Sequence, residues 1–206
     1  MVIKMKKGFI IAFEGIDGAG KKTQINLLNK NLIKEGYETF SISFPSYDTE
    51  IGKIIKKILI GEISFNPYIL QLLNTANRWE KLSIIKENLE KNKIVLIDRY
   101  IYSGIAYGIA NNLPKKWVIS LEEGLPKPLI TILLDIPAKE AIKRILKTKK
   151  PDRYESNIDY LSKVRKIFLQ LSKNKGWIKI DALKPIDIIE KEILNKILEK
   201  LKNNGS

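Results

Sequence analysis

The chain contains neither cysteine nor histidine among its 206 residues. This absence excludes thiol nucleophiles, disulfides, zinc sites built from Cys and His, and histidine general bases. Any acid–base or metal chemistry must therefore use Asp, Glu, Tyr or Lys. The sequence also lacks an apolar stretch that approaches the ~20 residues of a membrane span, and its first residues do not form a signal-peptide pattern. We therefore expect a soluble, cytoplasmic protein that has no membrane partner.

Acidic residues are few relative to basic ones. The chain has 37 Lys and Arg against 23 Asp and Glu, which gives a formal net charge of +14. Such a balance implies anionic partners, either small-molecule nucleotides or nucleic acid. No motif that interleaves basic and aromatic residues is present, so we expect nucleotides rather than nucleic acid.

A glycine-rich segment follows the first apolar run of the chain, residues 9–13. It reads Gly15-Ile16-Asp17-Gly18-Ala19-Gly20-Lys21 and leads into an amphipathic pattern. Glycines allow a loop to curl so that successive backbone N–H groups point at a polyphosphate, and a helix N-terminus adds partial positive charge. Because Lys21 can reach the β- and γ-phosphates, this order of strand, loop and helix predicts a P-loop.

One position of this loop departs from the usual pattern. Lys22 stands where a Ser or Thr usually contacts Mg²⁺. Thr23 comes next, but it lies about 100° further round the helix and cannot simply replace the missing ligand. We therefore expect Mg²⁺ to be held by Asp98, phosphate oxygens and water, and we expect Lys22 to alter the metal dependence.

Strand-like apolar runs alternate with helical patterns along the whole chain. Alternation of this kind predicts a parallel sheet with right-handed crossovers and helices on both faces, which is the three-layer α/β architecture of P-loop NTPases. Ligands bind beyond the carboxyl ends of such strands, where Glu14, Asp98 and Asp135 stand. We expect one domain over residues 1–206. The five predicted strands are 8–14, 39–44, 94–98, 129–135 and 177–181.

The segment from Asp98 to Tyr107 carries several candidate site residues. Asp98 ends an apolar run beside the P-loop strand, which is where P-loop enzymes place a carboxylate for Mg²⁺. Arg99 can clamp a phosphate with two hydrogen bonds, although an Asp98–Arg99 ion pair without a catalytic role is an alternative. Tyr100, Tyr102 and Tyr107 either line a base pocket or belong to the core.

Two further segments allow two interpretations each. Residues 49–60 read as a short helix that Gly61 ends, and residues 67–91 read as one long helix. Within the long helix, Arg78 either extends past Trp79 to solvent or points into a substrate cleft. The basic stretch 143–155 is either a solvated surface or a mobile lid that brings cations over a transferring phosphate.

These segments together resemble the thymidylate kinase family of P-loop nucleoside monophosphate kinases. The resemblance covers essentially the whole chain, and the combination of the Asp98–Tyr107 and Ala76–Glu80 segments is highly specific. The matching stretches are Phe13-Glu14-Gly15-Ile16-Asp17 with the P-loop, Phe44-Pro45, Thr49-Glu50-Ile51-Gly52-Lys53, Ala76-Asn77-Arg78-Trp79-Glu80, residues 98–107, Gly124-Leu125-Pro126-Lys127-Pro128 and Arg153-Tyr154-Glu155.

The resemblance implies transfer of the ATP γ-phosphate to dTMP, assisted by Mg²⁺, in a homodimer. It implies catalytic roles for Lys21, Asp98, Arg99 and Arg153, with Asp98 at the metal. The ATP residues would be Gly15, Gly18, Ala19, Gly20, Lys21, Lys22, Thr23 and Arg144. The dTMP residues would be Asp17, Phe44, Tyr47, Asn74, Arg78, Arg99, Ser103, Gly104, Tyr107 and Tyr154. The lid cations would be Lys147, Lys149, Lys150 and Arg153.

The sequence departs from the family pattern around the acceptor and in the loop. Asn74 replaces an aromatic residue that stacks on thymine, and Tyr47 replaces an Arg near the acceptor phosphate. Stacking on an aromatic ring is worth about 1–3 kcal/mol, so we expect relaxed acceptor choice that includes dUMP. Gly18 stands where some members carry a P-loop Arg, which assigns the cations to the lid.

Other classes with a P-loop fit the sequence less well. A GTPase would need Asn-Lys-x-Asp and a Gly three residues after the strand-end Asp, where this chain has Ile101. A nucleic-acid-dependent ATPase would need a larger core or an added domain. UMP/CMP kinases lack the Ala-Asn-Arg-Trp motif. Another pyrimidine monophosphate kinase, or a weakly active nucleotide-binding relative disabled at Lys22, remains an alternative.

Overall fold

The structure, a computed structural model, describes residues 7–147 and 157–204. Within these ranges five strands alternate with helices in the order that the apolar runs predict. The strands are β1 (Phe9–Glu14), β2 (Thr39–Ser43), β3 (Ile94–Asp98), β4 (Ile130–Asp135) and β5 (Trp177–Asp181). The helices are α1 (Lys21–Lys34), α2 (Glu50–Leu59), α3 (Pro67–Glu80), α4 (Leu82–Glu90), α5 (Ile101–Ala110), α6 (Lys115–Leu121), α7 (Ala138–Leu146), α8 (Ile158–Leu171) and α9 (Ile186–Asn204).

The five strands form one parallel sheet in the order β2-β3-β1-β4-β5. This confirms the predicted sheet and P-loop NTPase fold. Strand β1 lies at the centre, and Phe13 pairs with Asp98 of β3. The P-loop therefore begins beside Asp98 at the carboxyl edge of the sheet, as the sequence predicts.

Residues of β1 alternate between two hydrophobic clusters, one on each face of the sheet. Ile11 and Phe13 pack into a cluster with residues of α1, α8 and α9. Ile10 and Ala12 pack into a second cluster that includes Ile85 of α4. All four β1 side chains are buried, and this two-sided burial explains why the strand is a continuous apolar run.

The predicted short helix is confirmed, but the predicted long helix is wrong. The helix near 49–60 is α2. The Thr49 hydroxyl caps its N-terminus by accepting a hydrogen bond from the N–H of Gly52 at 2.9 Å. The expected helix 67–91 divides into α3 and α4 at Lys81. The N–H of Lys81 donates to the carbonyl of Arg78, only three residues back, and the Lys81 ammonium pairs with Asp48 at 2.6 Å. Contacts with a distant loop, rather than a Pro or Gly, accompany this break.

No helix within the described ranges is both long and apolar enough to cross a bilayer.

Candidate active site

The P-loop leads from β1 into α1 as the glycine spacing predicts. Gly15, Gly18 and Gly20 have φ values of 137°, 79° and 92°, which side chains rarely adopt. Among the residues that the structure describes, no side chain caps the N-terminus of α1, so its first N–H groups can bind a phosphate. Lys21 is 6% exposed, and its ammonium donates to the carbonyls of Gly15 and Ile16 at 3.1 Å each.

Gly18 has a second constraint besides its φ. A Cβ built at this position would collide with the backbone carbonyl of Ala141 in α7. An Arg at position 18 therefore requires a shift of α7 or of the loop. This contact disfavours an Arg side chain at position 18 of the loop.

A cavity of about 740 Å³, here called the P-loop cavity, lies against this loop. Its lining includes Asp98, whose Oδ1 is buried and accepts no hydrogen bond from the described residues. Lys22 lines the same cavity and is exposed. The predicted ATP residues that line it are Gly18, Ala19, Gly20, Lys21, Lys22, Thr23 and Arg144. Gly15 does not line the P-loop cavity, but its carbonyl accepts hydrogen bonds from Lys21 and Arg99.

Arg99 pairs with Asp17, so the alternative of an Asp98–Arg99 ion pair is wrong. Its Nη2 donates to Asp17 Oδ1 at 2.6 Å, and its Nη1 donates to the carbonyl of Gly15 at 3.2 Å. Burial disfavours the ionised Asp17, but the charges of Arg99 and Lys21 outweigh burial and lower the pKa of that carboxyl to about 2.

Tyr107 completes this network. Its hydroxyl donates to Asp17 Oδ2 at 3.0 Å, and the Arg99 guanidinium lies 5.2 Å from the centre of its ring. Burial raises the pKa of Tyr107 well above its ordinary value, so the phenol stays protonated and can donate. Asp17 is thus held from two sides in a fixed orientation.

A second cavity of about 220 Å³, here called the α3 cavity, lies between α2, α3 and α5. It collects most of the residues that the resemblance assigns to dTMP. Those that line it are Asp17, Phe44, Tyr47, Asn74, Arg78, Arg99, Ser103, Gly104 and Tyr107. The structure therefore brings together nine positions that are scattered over 90 residues of sequence.

Arg78 lies in the wall of the α3 cavity, which contradicts the alternative of a surface arginine. It is 3% exposed, whereas its neighbour Trp79 is 43% exposed. Its Nε donates to Glu122 Oε2 at 2.9 Å, and its Nη2 donates to Glu122 Oε1. The guanidinium is therefore buried with a carboxylate of matching geometry.

The three tyrosines of the 98–107 segment have different positions. Tyr107 lines the α3 cavity, whereas Tyr100 is fully buried and stacks with Phe44 at a centroid distance of 6.0 Å. Tyr102 packs against Trp177 at 4.7 Å. Only Tyr107 thus fits the base-pocket interpretation, and the other two are core aromatics.

Two residues predicted to bind the acceptor donate hydrogen bonds to other protein groups. The Ser103 hydroxyl donates to the buried carboxylate of Glu14, which also accepts from the N–H of Tyr100 at 3.0 Å. The Asn74 amide nitrogen donates to the carbonyl of Leu70 at 2.9 Å. Because the Ser103 hydroxyl is bound to Glu14, Ser103 contributes to the shape of the cavity wall.

The basic segment is described only in part. Lys147 is exposed at the end of α7, and Arg144 donates to the carbonyl of Ala182 at 2.8 Å while lining the P-loop cavity. Lys149, Lys150, Arg153 and Tyr154 lie outside the described residues.

The sequence reasoning missed some residues of the α3 cavity and its surroundings. Glu122 follows α6 and pairs with Arg78 across 44 residues, and no local pattern indicates that pairing. Gln71 and Tyr160 line the cavity, and they resemble ordinary helix residues in sequence. Asp135, a strand-end acid like Asp98, lines neither cavity, and Arg165 binds it at 2.7 and 3.2 Å.

Comparisons with known proteins agree with this geometry. A family model described as thymidylate kinase matches residues 13–193. Thymidylate kinase from Plasmodium falciparum is 36% identical over 93% of this chain and 90% of that protein. The human thymidylate kinase is 33% identical over 91% and 89%.

A solved structure points the same way. Thymidylate kinase from Candida albicans, described as having broad substrate specificity, superposes with a TM-score of 0.81. It is 31% identical, and the match covers 96% of this chain and 93% of that one. The chain therefore belongs to the thymidylate kinase family and is a nucleoside monophosphate kinase, a phosphotransferase.

Proposed function

We propose that this kinase transfers the γ-phosphoryl group of ATP, bound in the P-loop cavity, to dTMP bound in the α3 cavity, giving dTDP and ADP. One observation carries the assignment of the two cavities: Asp17 and Arg99 line both of them. The two cavities thus share a wall that bears a cation and an anion. An acceptor phosphate beside Arg99 would lie next to the phosphates held by the P-loop.

The chemistry needs no histidine or cysteine. The acceptor phosphate is already anionic, so no general base has to remove a proton from it. Transfer in line depends on positioning and on cations that neutralise the phosphate oxygens. Lys21 supplies one cation from the P-loop and Arg99 supplies one from the shared wall, while Asp17 is oriented to accept from the sugar 3′-hydroxyl.

Asp98 fits a magnesium site. Its Oδ1 is buried at the edge of the P-loop cavity with no partner among the described residues. No group of three or more acidic ligands that could hold a metal is found in residues 7–147 and 157–204. This donor set suits Mg²⁺, which keeps several waters and binds through one or two carboxylates and substrate phosphates. Bound there, the ion would neutralise charge on the phosphates.

The remaining cations are assigned to the basic segment. A longer side chain at Gly18 would collide with Ala141, and the cations of the loop and the first turn of α1 are Lys21 and Lys22. Lys147, Lys149, Lys150 and Arg153 are therefore our candidates for cations that close over the transferring phosphate, with Tyr154 beside the acceptor and Arg144 stacked on adenine.

A homodimer is also part of the proposal. The outer side of α3 carries Tyr68, Ile69, Leu72 and Trp79, each between 37% and 46% exposed. Exposed apolar groups on one helix favour association with another protein surface, and a two-fold pair is the commonest form. Sedimentation of the wild type and of Leu72→Glu tests this: a dimer that becomes monomeric supports it, and a monomeric wild type contradicts it.

A coupled assay with ATP, Mg²⁺ and the acceptors dTMP, dUMP, UMP, dCMP and AMP tests the function. We expect the highest kcat/KM for dTMP. A higher value for another pyrimidine acceptor would make that compound the substrate. Turnover of no acceptor, with ATP still bound, would identify a binding relative disabled at Lys22.

A further inference from the structure

Glu122 is a buried carboxylate that lies outside both cavities. It follows the last residue of α6 and is 6% exposed. Both of its oxygens accept from Arg78, and Oε1 also accepts from the hydroxyl of Thr75 at 3.2 Å. The described hydrogen-bond partners of the carboxylate, Arg78 and Thr75, therefore both lie on α3.

This pairing leaves one part of the Arg78 guanidinium available. A guanidinium has five N–H donors in a rigid plane. Nε and Nη2 are used by Glu122, and Nη2 also donates to Thr75 at 3.2 Å. No hydrogen bond from Nη1 to any residue of 7–147 or 157–204 is found. Since Arg78 lines the α3 cavity, the Nη1 donors are the ones left for a bound molecule.

Neighbouring elements hold the pair in place. A Cβ at Gly104 of α5 would lie 2.6 Å from Arg78 Nη2 and would collide with Glu122. Gln71 of α3 donates to the carbonyl of Gly104 at 3.2 Å, which keeps α5 against the pair. The guanidinium is therefore packed against the backbone of Gly104 on α5 and bound by Glu122, and these two contacts limit its movement.

A buried ion pair is weak evidence for stability, because desolvation of two charges offsets much of their attraction. Burial raises the pKa of Glu122, and the charge of Arg78 opposes that rise. A pair of this kind in the wall of a ligand cavity is better explained by the orientation that it gives to Arg78.

We propose that Glu122 is a specificity-determining positioning residue that fixes Arg78 so that its Nη1 donors face the acceptor base. This rests on the proposed function, in which the α3 cavity binds the acceptor. A fixed donor selects bases with a carbonyl at the facing edge, as thymine and uracil have. Cytosine presents an amino group there, and two facing donors would both be left unpaired.

The test compares Glu122→Gln with Glu123→Gln. The control makes the same carboxylate-to-amide change at an exposed neighbouring residue. For each enzyme we would measure kcat and KM for dTMP, the inhibition constant of dCMP against dTMP, and KM for ATP. In Glu122→Gln we expect KM for dTMP to rise about tenfold or more, as for a lost hydrogen bond to a charged group. We expect dCMP to bind as well as before or better, KM for ATP to stay within about twofold, and Glu123→Gln to match the wild type.

A purely structural role predicts a different outcome. Equal weakening of dTMP and dCMP in Glu122→Gln, or an unchanged ratio of the two, would overturn the proposal. If Glu122→Gln does not fold, Thr75→Val and Glu122→Asp serve in its place, and a ratio unchanged in both would likewise overturn it. Failure of the proposed function is separate, because it would show as absent dTMP turnover in the wild type.

Discussion

Arg99 Nη2 lies 2.6 Å from Asp17 Oδ1, although the two residues are 82 positions apart. Arg99 reaches this position with a φ of 60°, in the left-handed region that few non-glycine residues adopt. Its N–H donates to the carbonyl of Phe13 at 3.0 Å, which ties the start of α5 to the end of β1. The pair joins the strand that leads into the P-loop to the strand that ends at Asp98, the carboxylate that we propose for Mg²⁺.

The first prediction concerns this guanidinium. Arg99→Lys retains one charge but loses the planar pair of donors, so we expect kcat/KM for dTMP to fall by about 100-fold. Arg165→Lys is the control, because Arg165 makes a similar pair with Asp135 but lines neither cavity. The measurement is kcat/KM for dTMP in both variants and in the wild type, from steady-state kinetics. Equal losses in the two variants would mean that Arg99 acts only through stability.

The second prediction concerns the pH dependence of stability. The pKa of Asp17 falls from 3.8 to about 2 on folding, so its ionised form stabilises the fold by about 2 kcal/mol. That contribution is complete above about pH 5 and is lost as the pH falls through about 2. We expect Asp17→Asn to be less stable than the wild type at pH 7 in urea unfolding, by about 2 kcal/mol.

The difference in unfolding free energy between Asp17→Asn and the wild type should narrow as the pH is lowered from about 5 towards 2. Unfolding curves at a series of pH values measure it. A difference that stays constant over this range would show that the carboxylate charge is not its source.

The third prediction separates backbone conformation from crowding. A Cβ at Gly61, where φ is 82°, would have no atom within 4 Å. We therefore expect Gly61→Ala to lower the free energy of unfolding by about 1 kcal/mol through backbone strain alone. Gly18→Ala has a similar φ of 79° and in addition collides with Ala141. We expect it to cost at least about 1 kcal/mol more and to raise KM for ATP. Equal melting temperatures for the two variants would contradict the collision.

The fourth prediction concerns the metal. Lys22→Thr removes a positive charge and adds a hydroxyl in the P-loop cavity, so we expect half-saturation of activity at an Mg²⁺ concentration lower by about fivefold. Lys30→Thr makes the same change at another exposed position of α1 and should leave the titration as it is. An Mg²⁺ titration that Lys22→Thr does not alter would exclude a role for Lys22 in metal dependence.

The fifth prediction concerns acceptor choice. Asn74 and Tyr47 line the α3 cavity without a stacking ring at position 74 or a cation at position 47. dTMP and dUMP differ by one methyl group, which is worth about 10–200-fold in such a pocket. We expect the ratio of kcat/KM for dTMP over dUMP to lie in that range. A ratio above about a thousand would contradict relaxed choice.

Local patterns in the sequence were sufficient for the sheet and the P-loop. Buried parallel strands are continuous apolar runs, and the spacing from Gly15 to Lys21 fits a phosphate loop whatever the rest of the chain does. The register of Phe13 with Asp98 follows from strand order at the carboxyl edge. The resemblance to a known family added candidate acceptor residues that periodicity alone does not reveal.

The tertiary structure decided the partners of the arginines at the two cavities. Arg99 pairs with Asp17 instead of Asp98, and the buried Arg78 pairs with Glu122. The helix predicted over 67–91 breaks at Lys81, which pairs with Asp48. These outcomes depend on groups 33 to 82 residues apart in sequence, and the energy of a buried charge depends on its surroundings in space. The sequence by itself therefore determined the sheet and the loop, whereas only the folded chain fixed the partners and orientation of the arginines at its two cavities.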